Sequence, residues 1–515
     1  MSLTHSIANY YYFIQKLKCS LILRKTFKNV TISFCSKSAK NVTLDNMNKN
    51  IKTMEYAVRG PLLVRAIELE KQLEAGEKKP FKKVIKANLG DAHAMGQKPL
   101  TFYRQVLALV SYPELLKDSS FPSDTICRAE ELLSACKGGS VGSYSESFGI
   151  EIIRKHVAEF ICNRDGFESD WKNILLSAGA SDSIKNVLKL LNQPIDNKPP
   201  GVMIPIPQYP LYSASLAEFG MTLIGYYLQE SNNWGLDMNE LSRSLCEAQK
   251  HCHPRAIVVI NPGNPTGQVL TRCNIEDIIK FAYENKLVLL ADEVYQSNVY
   301  AENSEFHSMK KIINEMGKPY SEMELASFMS CSKGYMGECG LRGAYCELLN
   351  FDPDVMANFS KCISSMLCPT VLGQCLLDCV VKPPVEGEPS YDLYSKEKNE
   401  ILEVLKIKSK MIYEFFNGIK GFSCNEVQGA MYAFPKIDMP EKALQEAKSK
   451  NMPADTFYAF QLLESTGICV IPGTGFKQMP DTYHLRTTIL PSVELLKEML
   501  ENFKKFHEKF LKNYS

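Results

Sequence analysis

No apolar run in the chain approaches the roughly 18–20 residues that a membrane-spanning helix needs. Charge of neither sign dominates: 59 Lys and Arg face 58 Asp and Glu, for a formal net charge of +1. A nucleic-acid partner demands a clustered basic face, so composition gives no reason to expect one. Cysteine is plentiful at 17 residues, yet no Cys-x-x-Cys pair occurs. An odd count without framework spacing fits free thiols in a reducing compartment. Cys375 and Cys379 are four apart and could share a helix face, where core packing accounts for them better than a metal. His251, Cys252 and His253 lack a second ligand pair nearby and read as loop. Internal repeats and low-complexity tracts are missing too.

Acidic residues are also missing before Asp45. That stretch carries Lys16, Lys18, Arg24, Lys25, Lys28, Lys37 and Lys40 among many serines and threonines. This is the composition of a transit peptide, and "IQKLKCSLILRKTFK" is roughly amphipathic. Residues 1–53 are therefore expected to be a removable extension addressed to the mitochondrial matrix. A cytoplasmic protein with a polar tail, or a start codon upstream of a core beginning near Met54, is the alternative. A secretory signal fits less well, because lysines interrupt every apolar run.

What is present is ordinary globular composition, 45% hydrophobic and 23% charged. "YAVRGPLLVRAIELEKQLEAG" (56 to 76) reads as a turn and an amphipathic helix ending at Gly76. From about residue 145 short apolar runs alternate with helical patterns. "NILLSAGAS", "GVMIPIPQYP", "RAIVVINPGNPTG" and "KLVLLADEVYQ" each end an apolar run in polar or glycine residues. Strands alternating with helices imply an α/β fold with a mostly parallel, buried sheet, and ligands bind beyond the carboxyl ends of such strands. Pro383, Pro384 and Pro389 break the pattern, and a long helix is expected from about Leu393 to Gly418. Short strands such as "MYAFP" and "GICVIPG" follow, mixed with helices. The expected division is an extension (1–53), an arm with part of a small domain (54–119), a large α/β domain (120–384) and a smaller α+β domain (385–515).

The stretch "SKGYMGECGLRGAY" holds Lys333 in a loop with three glycines, followed by Arg342. A lysine so placed can form a Schiff base with an aldehyde, and pyridoxal phosphate enzymes need one, plus an acid beside the pyridine nitrogen. Asp292, ending "KLVLLAD", is placed to keep that nitrogen protonated, although a helix N-cap is its plain alternative. Asn264 in "NPGNPTG" can donate to the phenolic oxygen of the ring, or be an Asn-Pro turn. Tyr295 can donate to the same oxygen, or simply pack. For the phosphate, "SAGAS" offers the N–H groups of Gly179, Ala180 and Ser181 at a helix start. Ser330, Ser332 and the Arg342 fork can complete that cradle, where a surface salt bridge is the alternative for Arg342.

Together these residues resemble the fold type I enzymes of the aspartate-aminotransferase superfamily, and within them the alanine-aminotransferase group. The superfamily marks are Asn264, Asp292, Tyr295, Lys333 and Arg486 in "YHLRTTIL". Longer blocks are more specific: "MEYAVRGPLLVRA", "NLGDAHAMGQKPLTFYRQV", "GSYSESFGI", "IPIPQYPLYSA", "INPGNPTGQVL", "SKGYMGECG" and "QGAMYAFP". The resemblance runs from about Met54 to Tyr514. Leu341 departs from it, standing where an aromatic is expected, and puts nothing catalytic in doubt.

The resemblance implies a large domain with a mostly parallel seven-stranded sheet flanked by helices, a smaller α+β domain, bound pyridoxal 5'-phosphate and a homodimer. It implies that Arg486 binds the substrate α-carboxylate, that the Gly90 backbone approaches the same group, and that Tyr209 stacks on the cofactor ring. Tyr144 matches a tyrosine that reaches a phosphate across the dimer interface. Without the resemblance, Arg486 would read as a charge on a strand surface. The expected reaction passes the amino group of L-alanine to 2-oxoglutarate in two half-reactions, with Lys333 as anchor and general base. Glutamate–glyoxylate transamination, or a β-lyase on the same scaffold, are the alternatives.

Overall fold

The computed structural model describes residues 40–56 and 60–515. Two compact units meet in sequence at Lys52 and Thr53. Of the first, the described part is a turn closed by Thr43 N donating to Asn46 Oδ1 (2.7 Å), then the beginning of the short helix Lys49–Thr53. The basic stretch up to residue 39, with its targeting signature, lies outside the described residues.

The second unit is built on a seven-stranded sheet: β1 (Ile174–Ala178), β2 (Pro200–Ile206), β3 (Thr222–Tyr227), β4 (His253–Ile260), β5 (Val288–Asp292), β6 (Leu325–Ser330) and β7 (Gly343–Leu349). Their order across the sheet is β1-β7-β6-β5-β4-β2-β3. The pairs β6/β5, β5/β4, β4/β2 and β2/β3 are parallel, whereas β7 runs against both its neighbours. The sheet is thus mostly parallel with one strand reversed. His253, expected in a loop, opens β4, its N–H bonded to Pro199 O at 2.8 Å.

Why these runs are strands is visible in their two buried faces. Alternate side chains point to opposite faces, so both must be apolar when helices cover both. Val202, Ile204, Val258 and Ile260 pack under helices Ala180–Leu191 and Pro210–Phe219. Met203, Ile257, Val259 and Leu289 pack on the other face against helices Met238–Gln249, Arg272–Glu284 and Met309–Met316. The reversal at β7 comes from the connection 331–342, which doubles back where a crossover helix would keep the strand parallel. It is the loop that carries Lys333.

Two further cores flank the sheet. Helix Thr101–Ser111 shares one with Val157, Ile161 and Leu376, and with Cys375 and Cys379, both fully buried. The other joins Leu62, Ala66, Ile85 and Ala87 to the C-terminal helices Tyr391–Asn417, Ala454–Thr466 and Val493–Tyr514. A three-stranded antiparallel sheet lies there, with Leu485–Thr488 between Tyr432–Ala433 and Ile471–Pro472. Thr488 N bonds to Ala87 O at 2.9 Å, so the segment before the large sheet is tied to this one.

Candidate active site

The carboxyl ends of β1, β4, β5 and β6 open on one cavity of about 160 Å³. Every cofactor-side residue expected from the sequence lines it, except Gly179, which abuts it through Ala180, and Tyr144. Tyr144 is 69% exposed.

Beyond β1 the chain turns through Gly179 (φ 87°) into helix Ala180–Leu191. A Cβ on Gly179 would overlap Arg342 Nη2, so the turn accepts the arginine only because it is glycine. Arg342 donates from Nη2 to Ala178 O (3.1 Å) and from Nη1 to Cys339 O (3.0 Å). The guanidinium is thereby held at a helix N-terminus, where backbone N–H groups of Ala180 and Ser181 also point outward. Ser330 Oγ accepts from Ser332 N at 3.1 Å, and Ser332 Oγ is buried without a partner. This corner is a cluster of donors and cationic charge.

Asp292 ends β5 and is 2% exposed. Its Oδ2 accepts from Tyr212 Oη at 3.0 Å, while Oδ1 is buried with no partner. Burial pushes the carboxyl up to about 6, against the lowering effect of the Tyr212 and Val294 hydrogen bonds. No helix follows for it to cap: residues 294–297 form turns. The site holds a carboxylate that lacks a cationic partner.

Lys333 extends from the loop after β6, its Nζ donating to Gly90 O at 2.6 Å. Asn264, 4% exposed after β4, accepts on Oδ1 from Arg486 Nη1 at 3.1 Å. Arg486 is 2% exposed and also donates from Nη2 to Asn88 O at 2.7 Å. Its Nε has no partner, and none of the ion pairs among the described residues includes it. A buried guanidinium without a counter-charge is costly unless an anion arrives. Tyr295 Oη donates to Tyr432 Oη at 3.2 Å, and burial pushes the Tyr295 phenol well above its ordinary value. Tyr209 is half-buried at the start of helix Pro210–Phe219, edge-on to Tyr212 with ring centroids 6.3 Å apart.

Three contributors had no role in the sequence reading. Tyr212 stands in the first turn of the helix that Tyr209 precedes, its ring edge-on to that of Tyr209. Tyr432 lay inside the quoted block "QGAMYAFP" without a function. Asn88 acts through its backbone carbonyl, which no side-chain pattern reveals.

Residues 111–503 match the family model for aminotransferase class I and II. The chain belongs to this family. Alanine aminotransferase 2 of Xenopus laevis is 56% identical over 476 residues, covering 92% of this chain and 88% of that one. The probable mitochondrial alanine aminotransferase of Dictyostelium discoideum is 45% identical over 486 residues, covering 92% and 90%. The alanine aminotransferase from Pyrococcus furiosus has the same fold, with a TM-score of 0.70 at 23% identity over 90% of this chain and 99% of that one.

Class I and II aminotransferases work with pyridoxal phosphate. The residues of this aminotransferase fit that group on three counts. The orphaned Asp292 oxygen suits a protonated ring nitrogen. The Gly179 turn with Arg342 and the unpartnered Ser332 hydroxyl suits a phosphate dianion. Lys333 offers a primary amine on the same cavity.

Proposed function

We propose that this aminotransferase moves the amino group of L-alanine to 2-oxoglutarate, giving pyruvate and L-glutamate. The observation that carries the reading is Arg486, a buried guanidinium without an acidic partner among the described residues, bonded to Asn264 of the cavity that Lys333 and Asp292 line. A fork of N–H donors suits the α-carboxylate that every amino acid and 2-oxo acid presents. Identity of 56% to a relative named for alanine supports the choice of substrate.

In this reading Lys333 supplies the anchoring amine and, once released, carries the proton at the substrate Cα. Asp292 holds a proton on the ring nitrogen, and Asn264 and Tyr295 face the phenolic oxygen. Gly179, Ala180, Ser181, Ser330, Ser332 and Arg342 hold the phosphate, and Tyr209 covers the ring. Gly90 shares the α-carboxylate with Arg486. Bound there, pyridoxal phosphate supplies the electron sink that makes the Cα proton acidic. Among the lining residues only Lys333 and Arg342 are basic, and both serve the cofactor. Nothing fixed in the cavity therefore favours an acidic side chain over a methyl group.

The test is purified enzyme against a panel of amino acid and 2-oxo acid pairs, with product analysis. Alanine with 2-oxoglutarate should be fastest. Faster aspartate or an aromatic amino acid would overturn the substrate, glutamate with glyoxylate would give the runner-up pair, and ammonia release would indicate a β-lyase. The exposed Tyr144 completes the phosphate site of a second copy in a homodimer. The segment 54–119 supplies part of a smaller domain with 385–515, its residues Leu62 to Ala92 sharing one core with that segment. The extension 1–53 directs the chain to mitochondria, as its composition and the name of the Dictyostelium relative suggest.

A further inference from the structure

Glu338 does not line the cavity, yet it stands just beyond Lys333 in the same loop and is only 2% exposed. A carboxylate so buried needs a cation to hold its charge. Its Oε2 accepts from Arg104 Nη2 at 2.8 Å, and His93 Nδ1 stands 3.9 Å from the same oxygen. Its Oε1 is buried with no partner, so among the described residues its ion pairs are these two. Both partners belong to the segment before the large sheet: His93 to a short turn, Arg104 to helix Thr101–Ser111.

The blocks "NLGDAHAMGQKPLTFYRQV" (88–106) and "SKGYMGECG" (332–340) are thereby pressed together. Gln97 Nε2 donates to Tyr335 O at 2.8 Å, and a Cβ on Gly337 would stand 3.0 Å from both Ala92 Cβ and Gln97 Nε2. On the cavity side the same segment offers two carbonyls. Asn88 O accepts from Arg486, and Gly90 O accepts from Lys333. Thr488 N ties down one end of the segment at Ala87 O. From there to Leu100 the chain has no strand and only the turn His93–Met95, so regular structure does not place those carbonyls.

We propose that Glu338 is a positioning residue: its pairing with Arg104 and His93 fastens segment 88–97 to the Lys333 loop, and so holds the Asn88 and Gly90 carbonyls against Arg486 and Lys333. The inference rests on the roles given above to those two residues. Asn88 O keeps the guanidinium in one orientation, and Gly90 O receives the lysine amine whenever it is free. A displacement of about 1 Å at such a site costs on the order of 100-fold in rate.

The test uses full-length protein with cofactor bound: wild type, Glu338→Gln, Arg104→Met and the double variant. Amide hydrogen exchange over 88–97, read by mass spectrometry, should quicken about tenfold in every variant. KM for alanine and for 2-oxoglutarate should each rise about tenfold in Glu338→Gln, while the cofactor dissociation constant stays within about twofold. The Arg104 side chain is 43% exposed, so Arg104→Met answers the question should the buried substitution fail to fold. The double variant should be no worse than the poorer single one, because one contact cannot be lost twice. Unchanged exchange would overturn the proposal, as would additive losses in the double variant. Cofactor affinity falling in step with the rise in KM would overturn it too, by reducing Glu338 to a prop of the cofactor loop. Exchange is read without substrate, so its failure is distinct from an Arg486→Lys variant that harms neither half-reaction, which would refute the role of Arg486 instead.

Discussion

Asp292 keeps a carboxylate where burial opposes its charge, so its worth to catalysis and its cost to stability have opposite signs. Its carboxyl titrates at about 6 in the fold against 3.8 for an unburied aspartate. The folded chain therefore binds this proton more tightly than the unfolded one. Stability is highest below the unfolded value, falls as pH rises through about 6, and above that carries a constant penalty on the order of 2–3 kcal/mol. Asp292→Asn removes the charge in nearly the same volume. Without cofactor it should resist urea better than wild type at pH 8, and the two should coincide near pH 4. With cofactor its turnover should fall by orders of magnitude, since an amide cannot keep the ring nitrogen protonated. A loss below tenfold, about 1.4 kcal/mol of barrier, would contradict the role. Arg486 obeys different logic. Arg486→Lys keeps the charge but loses the planar two-point contact, and should damage the alanine and glutamate half-reactions alike. Kinetics that failed for only one of the two would mean that the residue reads a side chain.

At the scale of elements, the ends of strands carry the chemistry, and most of them were legible in the sequence. Apolar runs that stop at "SAGAS", "NPTG" and "ADE" mark β1, β4 and β5, because both faces of an internal strand are buried while its end reaches solvent or ligand. The direction of β7 was not legible, because a period of two is the same read either way. Nor was Arg486 legible without the family blocks. It sits 222 residues from Asn264 and 398 from Asn88, and such partners leave no local pattern. The turn after β1 gives a prediction at this scale. Gly179→Ala places a methyl group against the flexible end of Arg342, and φ 87° with ψ 155° is a region that essentially only glycine enters, costing alanine roughly 1–3 kcal/mol. The arginine side chain can swing away while the backbone stays. The variant should fold with near-wild-type circular dichroism yet bind cofactor at least about tenfold more weakly in equilibrium dialysis. Unchanged affinity would remove this turn from the phosphate site.

For the whole molecule, the family match spans residues 111–503 and every residue lining the cavity falls within it, while Asn88 and Gly90 reach the site from the segment before it. Residues 1–53 should be dispensable for catalysis. A fusion of residues 1–53 to a fluorescent reporter should collect in mitochondria, and protein lacking them should keep its turnover. Diffuse fluorescence would refute the targeting role. That role rests on composition, seven basic residues and no acid before Asp45, and on the name of the Dictyostelium relative. The central claim is that Lys333 holds the cofactor and is freed when alanine gives up its amino group. Borohydride reduction of the purified enzyme followed by peptide mapping tests it most directly. Cofactor should be fixed to the peptide containing Lys333, with no fixation after incubation with L-alanine alone and its return when 2-oxoglutarate is added. Fixation at another lysine, or a Lys333 label indifferent to alanine, would contradict it.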